Sequence, residues 1–320
     1  YALSYLNIYG KGTLFVMLTM GLNSFINTQG FSKVGMKTVL IGAVCNIILD
    51  PVFIFVFGMG VQGAALATVI SQAISAVWVI LFLTGKQTKL KIKTKYFKPK
   101  ASVLLPVCAL GVSPFIMNAT ESAINIAFNA SLSRYGGDVA VGAMTILSSI
   151  MQLQFMPVQG IAQGAQPIMS FNYGAKKMDR VKKAYRLLMI CSFTYTMIFC
   201  LAVEIAPGFF VHLFNSSSQE LFEMTKWALR IYMAATGVFG IQLAVQQVFM
   251  ALGQAKISLF IACLRRIILL IPLIYILPHF FADKVFAVFL AEPVSDFISV
   301  TVAATLFFLN IKKILKEGEV

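Results

Sequence analysis

Long apolar runs alternate with short polar segments along the whole chain, and this pattern predicts its architecture. A helix that crosses a bilayer needs roughly 20 apolar residues, and about nine runs approach or exceed that length. They cover residues 12–29, 36–57, 61–84, 102–132, 140–169, 187–209, 221–250, 257–279 and 285–310. Since helices satisfy their own backbone hydrogen bonds in lipid, we predict an all-α polytopic membrane protein with about nine transmembrane helices.

The polar segments divide these predicted spans into two groups. We expect three spans in 1–85, a basic linker at 86–100, six spans in 101–311 and a tail at 312–320. A weak internal repeat relates residues 29–33 to residues 252–256. Repeats of this kind relate the two halves of many transporters. We therefore expect a two-lobe helix bundle in which three further spans precede the present ones.

Composition excludes an ordinary soluble domain. The chain is 59% hydrophobic and 12% charged, with a mean hydropathy of +0.84, whereas a soluble protein of this size needs far more polar surface. Its net charge of +14 lies mainly in loops that alternate with nearly uncharged turns. This alternation follows the positive-inside rule and predicts a multi-pass protein of the cell membrane, with no nucleic-acid partner. The predicted cytoplasmic segments, which would also meet anionic lipid heads, are 30–37, 85–100, 172–186, 252–256 and the C-terminus.

The sequence offers little for cofactor or enzyme chemistry. The five cysteines all fall inside apolar runs without a C-x-x-C pair, and the two histidines are far apart. These patterns are typical of small core residues and not of a zinc site. Nucleotide-binding and hydrolase motifs are also missing from the sequence. We therefore expect no metal, no cofactor and no enzyme activity.

Asp50 is the most informative residue of the chain. It lies within the apolar run 39–57, where a carboxylate costs several kcal/mol and usually marks an ion or proton path. Asn46 lies one turn earlier on the same helix face, and Pro51 frees a backbone carbonyl nearby. This pattern favours a cation or proton site. The alternative is a hydrogen-bonded structural aspartate at a helix kink.

Polar side chains recur at helical spacing in three later spans, and each stripe occupies one helix face. The first stripe contains Asn118, Glu121 and Asn125. The second contains Ser149, Gln152, Gln159 and Gln163, and the third contains Gln242 and Gln246. Phe155 and Met156 lie beside the second stripe and could repack around varied ligands. We interpret the stripes as walls of a wet substrate cavity. Hydrogen bonding between helices is the alternative, and for the third stripe both interpretations carry equal weight.

Two further charged pairs lie within the last spans. Glu292 and Asp296 are one turn apart, and they form either a second proton site or a structural pair. Arg265 and Arg266 are expected near the cytoplasmic end of the span 257–279, with their side chains snorkelling towards the membrane surface.

Three segments carry a resemblance to a known family. They read N-I-I-L-D-P-V-F-I-F at 46–55, G-V-Q-G-A-A-L-A-T at 60–68 and Q-G-I-A-Q-G-A-Q-P-I-M-S-F-N-Y-G-A at 159–175. In this order and spacing they resemble the MATE (multidrug and toxic compound extrusion) transporters, and the resemblance extends over essentially the whole chain. It implies a twelve-span, two-lobe fold of which this chain corresponds to spans four to twelve. It also implies cation-coupled efflux of organic compounds by alternating access.

The resemblance assigns roles to particular residues. Asn46, Asp50 and Thr68 match an N-lobe cation network used by one branch of the family. Glu121 matches a C-lobe glutamate of another branch, but Ile241 stands where that branch has its aspartate. The N-lobe site is therefore favoured. The dipeptide Glu292-Pro293 and the charge pattern of the chain resemble the MepA/DinF-like branch of the family more than the other branch.

These observations predict a monomeric antiporter that uses Na⁺ or H⁺ to export amphipathic, often cationic, drugs. One alternative is a flippase for lipid-linked oligosaccharides of similar architecture, which should line its cavity with several arginines to hold pyrophosphate. Another is a membrane fragment or scaffold that does not transport.

Overall fold

The computed structural model describes residues 2–88, 91–92, 100–214 and 218–319. Side chains are described for these residues except 2, 106, 109–114, 116–118, 255 and 317–319. Regular secondary structure within the described residues is helical, which confirms the predicted all-α class. The chain forms two compact units, Tyr1–Leu104 and Leu105–Val320. Their assignment to lobes with the predicted domain boundaries stays a prediction.

The N-terminal unit contains three long helices that pack on one another. They are α1 (Ala2–Thr28), α2 (Ser32–Pro51) and α3 (Gly60–Thr84). After Pro51 the second helix continues as a π-helical turn, Val52–Val56. Proline has no backbone N–H to donate to the preceding turn, and π-helical turns frequently occur at functional sites.

Small residues let the helices of this unit approach closely. A Cβ atom on Gly42 would lie 2.5 Å from the Ser75 hydroxyl oxygen, and that hydroxyl donates to the Thr38 carbonyl at 3.2 Å. Such small and hydroxyl-bearing contacts are typical of helix packing in lipid. An apolar cluster of Ile26, Val79 and Leu83 forms the core at one end of the unit.

The C-terminal unit contains the remaining helices. They are α4 (Ala101–Gly174), α5 (Met178–Ile205), α6 (Pro207–His212), α7 (Gln219–Met233), α8 (Thr236–Ala251), α9 (Ala255–Cys263), α10 (Ile271–Ile276) and α11 (Lys284–Glu319). Gly137, with φ of 64° and ψ of −159°, interrupts α4 and divides it into two arms, 101–136 and 138–174. This conformation suits glycine, which lacks the Cβ that would clash there. The interruption falls between the two spans that the sequence predicts.

Two pairs of consecutive helices in this unit are joined by irregular backbone. A π-helical segment, Leu264–Leu270, joins α9 to α10, and α7 and α8 meet at a 48° bend. By length and composition, six helices of the described residues can cross a membrane, or seven if the bent pair is one span. The protein is therefore multi-pass, while the count of nine spans stays a prediction.

Buried polar residues form a layer between two apolar clusters of the C-terminal unit. One cluster surrounds Phe128, Leu147 and Phe289, and the other surrounds Phe249 and Phe307. On α5 and α11, which contribute to both clusters, the buried polar side chains fall between them, and so does Gln154 on α4. We call this set the polar layer: Gln154, Ser192, Thr196, Thr236, Gln242, Arg265, Glu292, Ser295, Asp296 and Ser299.

The structure also describes most of the predicted tail and part of the predicted linker. The expected tail at 312–320 is helical through Glu319, because α11 continues past the apolar run. Within the predicted linker 86–100, residues 89–90 and 93–99 lie outside the described residues. Near the start of this linker, the Thr88 hydroxyl donates to the Gln29 side-chain oxygen at 2.7 Å.

Candidate functional site

Asp50 lies in a small polar cluster between α2 and α3. The Asn46 amide donates to Asp50 Oδ1 at 3.3 Å and is 3.5 Å from Thr68 Oγ1. Thr68 itself donates to the Ala64 carbonyl at 2.9 Å. All three predicted cation-site residues therefore converge, and each is half-buried. Whether they bind a cation stays a prediction.

The local sequence explains why these side chains meet. Asn46 and Asp50 are one turn apart on α2, so they share a face. Gly63 lies near the start of α3, where a Cβ would be 2.7 Å from the Phe53 carbonyl. This close approach of the π-helical turn brings α2 to within hydrogen-bonding distance of Thr68. The cluster offers a carboxylate, an amide oxygen and a hydroxyl, which are ligands suited to a hard cation or a proton.

In the C-terminal unit, the polar layer joins α4, α5 and α8 next to the bend between α7 and α8. Gln154 donates to the carbonyls of Thr196 (3.2 Å) and Thr236 (3.3 Å). Thr196 donates to the Gly237 carbonyl at 2.7 Å. The break frees the carbonyl of Met233, the last residue of α7, and this carbonyl accepts from the Thr236 hydroxyl at 2.8 Å and from the Cys200 thiol at 3.4 Å. A helix break at membrane depth is tolerated when side chains satisfy freed carbonyls in this way. Gln154 was not among the residues predicted from the sequence. It could have been found there as a single amide side chain on the face of the helix opposite the predicted stripe.

The largest concentration of buried charge surrounds Arg265. Its Nε lies 2.5 Å from Asp296 Oδ1, and its Nη2 lies 2.6 Å from Glu292 Oε1. Its guanidinium also lies 4.3 Å from the centre of the Phe239 ring, in a cation–π contact. Arg265 is only 6% exposed, so the prediction that it snorkels is wrong. Two carboxylates on α11 compensate the arginine where it is buried.

The first predicted stripe occupies an exposed face of α4. Glu121, Ser122, Asn125 and Asn129 are exposed, whereas the side chain of Asn118 lies outside the described residues. Glu121 pairs with Arg266 at 2.7 Å, and its side chain is 56% exposed. Within the unit, therefore, Glu121 does not belong to the buried interior. A polar face on a membrane helix is costly against lipid, so it normally faces protein or a watery cavity.

The other two stripes differ from each other in burial. Gln152, Met156, Gln159 and Gln163 are exposed along the second arm of α4, whereas Ser149 and Phe155 are half-buried. Phe155 packs near Phe239, with ring centres 5.8 Å apart.

The third stripe is buried. Gln242 and Gln246 are 2% and 7% exposed, and Gln242 accepts a hydrogen bond of 2.6 Å from Ser299. This contact favours hydrogen bonding between helices for Gln242. The part of these residues in substrate binding stays a prediction.

The fold and these sites define a class: an all-helical, multi-pass membrane protein with polar groups buried inside its helix bundle. The MatE family model matches residues 114–276 of the chain, which is half of its length. The chain belongs to the MatE family, and the predicted membership in the MATE transporters is confirmed.

Individual relatives agree with this assignment. The chain is 25% identical over 308 residues to multidrug export protein MepA of Staphylococcus haemolyticus (strain JCSC1435), covering 96% of this chain and 67% of that protein. It is 27% identical over 278 residues to MepA of Staphylococcus aureus (strain NCTC 8325 / PS 47), covering 87% of this chain and 61% of that protein. The chain thus spans about 61 to 67% of the length of these relatives. These relatives agree with the predicted MepA-like branch.

Solved structures show the same fold. The crystal structure of a MATE protein in the bent conformation superposes with a TM-score of 0.89 at 20% sequence identity. The alignment covers 100% of this chain and 70% of that one. At this identity the likeness concerns the fold alone, and it confirms the predicted MATE-like fold class.

Proposed function

We propose that the protein is a cation-coupled antiporter of the cell membrane that exports amphipathic, often cationic, organic compounds by alternating access. The observation that carries this proposal is the cluster of Asp50, Asn46 and Thr68 within a largely apolar helix pair. A carboxylate at that depth is costly and usually functional. The names of the MepA relatives, which are multidrug export proteins, support the substrate class.

Coupling requires that the cation and the drug prefer different conformations. A cation on Asp50 would stabilise one arrangement of the transporter, and the drug would stabilise another. Because coupling free energies are reciprocal, each ligand then lowers the affinity for the other. Either Na⁺ or H⁺ fits the cluster, since Asp50 can bind a proton or, with the amide and hydroxyl oxygens, a small hard cation.

The exposed polar faces of α4 are the proposed drug-facing surface. They combine amides and one carboxylate, Glu121, with the flexible side chain of Met156. Adaptable thioether and ring surfaces suit varied ligands, and a carboxylate attracts cationic ones. The basic loops would lie on the cytoplasmic side, and a monomer suffices for this mechanism.

The flippase alternative is not favoured by the charges of this unit. Arg265 pairs with Glu292 and Asp296, and Arg266 pairs with Glu121. These guanidinium groups are already engaged with carboxylates, whereas a pyrophosphate site needs arginines directed at the ligand.

The proposal is tested with Asp50→Asn in the full-length protein, measured as drug efflux from cells at matched expression. This change keeps the shape of the side chain and removes the charge, so gradient-driven efflux should fall at least tenfold, towards the background without the transporter. Asp138→Asn is the control, because Asp138 is an exposed aspartate next to the break in α4. Unchanged efflux by Asp50→Asn would place the coupling site elsewhere.

A further inference from the structure

Three charged residues meet inside the polar layer of the C-terminal unit, separate from the Asp50 cluster. Arg265, Glu292 and Asp296 are 6%, 3% and 0% exposed, and they are the charged residues among the buried described side chains. The arginine lies on the π-helical segment between α9 and α10, and both carboxylates lie on one face of α11. The guanidinium contacts one oxygen of each carboxylate.

The charges of this cluster do not balance. One guanidinium faces two carboxylates, which leaves one negative charge without compensation. Burying an uncompensated charge costs far more than burying a paired one. A cluster of this kind is therefore expected to bind one further positive charge.

The surrounding side chains do not supply that charge. Arg266 and Glu121 interact electrostatically with Glu292, but they form an ion pair with each other at 2.7 Å and so cancel. Tyr232, which faces the cluster from α7, and Phe239, which stacks on Arg265 from α8, are neutral. The cluster remains one positive charge short when all these neighbours are counted.

Two carboxylate oxygens also lack hydrogen-bond partners. Glu292 Oε2 and Asp296 Oδ2 are buried without a partner in the structure. The two serine hydroxyl groups next to these carboxylates on α11 have other partners, since Ser295 donates to the Arg265 carbonyl and Ser299 donates to Gln242. Buried polar atoms without partners are rare and call for a ligand or a functional role.

We propose that Arg265, Glu292 and Asp296 form a proton-binding site in which the two carboxylates share one exchangeable proton. A proton neutralises a carboxylate without needing a coordination shell, whereas a metal ion would lie next to the guanidinium and be repelled. Among the described residues, no group of three or more His, Cys, Asp or Glu side chains could hold a metal ion. Glu121 and Arg266 lie close enough to interact electrostatically with Glu292, and Glu121 is itself exposed on α4.

The test is infrared spectroscopy of the purified full-length protein at neutral pH, where exposed carboxyl groups are ionised. The wild type should show the carbonyl stretch of a protonated carboxylic acid, shifted in D₂O because the proton exchanges. Glu292→Gln should abolish this band. Asp296→Asn should abolish it too, because one carboxylate then balances Arg265 without a proton. If Glu292→Gln does not fold, Asp296→Asn carries the same test.

Two control variants complete the experiment. Glu220→Gln, at an exposed glutamate of α7, should retain the band, and so should Asp50→Asn. A wild type without the band would overturn the proposal. So would a band that persists in both Glu292→Gln and Asp296→Asn when each is combined with Asp50→Asn, which removes any contribution from a proton on Asp50. Loss of the band in Asp50→Asn alone would also overturn it. The measurement needs no transport, so its result is independent of the antiport proposed above.

Discussion

At the scale of single residues, Arg265 links three helices of the C-terminal unit. It binds two carboxylates of α11 and stacks on Phe239 of α8 while belonging to the segment between α9 and α10. Replacing one partner of a buried ion pair leaves a charge without compensation, which costs about 3–5 kcal/mol. Arg265 should therefore matter for folding as well as for the proton chemistry proposed above.

We predict that Arg265→Met destabilises the protein by about 3–5 kcal/mol, because it keeps most of the side-chain volume and removes the charge. Chemical unfolding of the purified protein in detergent measures this change. The control is Arg266→Met, which breaks the ion pair with the half-exposed Glu121 and should cost clearly less. Equal effects of the two variants would mean that burial of Arg265 does not determine its contribution.

Residue patterns predicted the N-terminal cluster better than the C-terminal one. Asn46 and Asp50 are neighbours in sequence, so helical spacing alone places them together. Arg265 and its partners are separated by about one predicted span and a loop, and no local pattern indicates which way Arg265 points. Tertiary packing decides that direction, which is why snorkelling was the wrong expectation.

At the scale of helices, the C-terminal unit depends on close contact between α5 and α8. A Cβ atom on Gly240 would lie 2.5 Å from the Thr196 hydroxyl oxygen and 2.6 Å from the Ser192 carbonyl oxygen. Thr196 also donates to the Gly237 carbonyl next to the bend. Glycine at 240 therefore allows α8 to approach α5 where the polar layer joins the two helices.

We predict that Gly240→Ala destabilises the protein by about 1–3 kcal/mol through overpacking. Gly160→Ala is the matched control, because nothing lies within 4 Å of a Cβ at that helical position. Alanine favours a helix over glycine by about 1 kcal/mol, so the control should be neutral or slightly more stable. The midpoint of thermal unfolding in detergent reports both changes. A Gly240→Ala protein as stable as the control would contradict the proposed helix contact.

Apolar periodicity predicted where most helices lie, because the length needed to cross a bilayer is set by the lipid. It did not predict the π-helical segments or the 48° bend between α7 and α8. These irregularities depend on partners from other helices, such as the Cys200 thiol of α5, which donates to the Met233 carbonyl at the end of α7. A sequence pattern within one helix contains no record of those partners.

At the scale of the molecule, each of the two units has its own cluster of polar side chains around a carboxylate that is buried or half-buried. The N-terminal unit has Asp50 with neutral oxygen ligands, and the C-terminal unit has the Arg265 cluster. In the account proposed above, the first site couples cation movement to drug movement, and the second holds an exchangeable proton.

In the proposed mechanism, drug movement is coupled to cation movement. Transport by the full-length protein in sealed vesicles tests this coupling directly. Drug flux would be followed under an imposed Na⁺ gradient, an imposed pH gradient and neither. One of the two gradients should drive the drug in the opposite direction, and a drug gradient should move the same ion, because coupling is reciprocal. Drug flux that responds to neither gradient and moves neither ion would contradict the account.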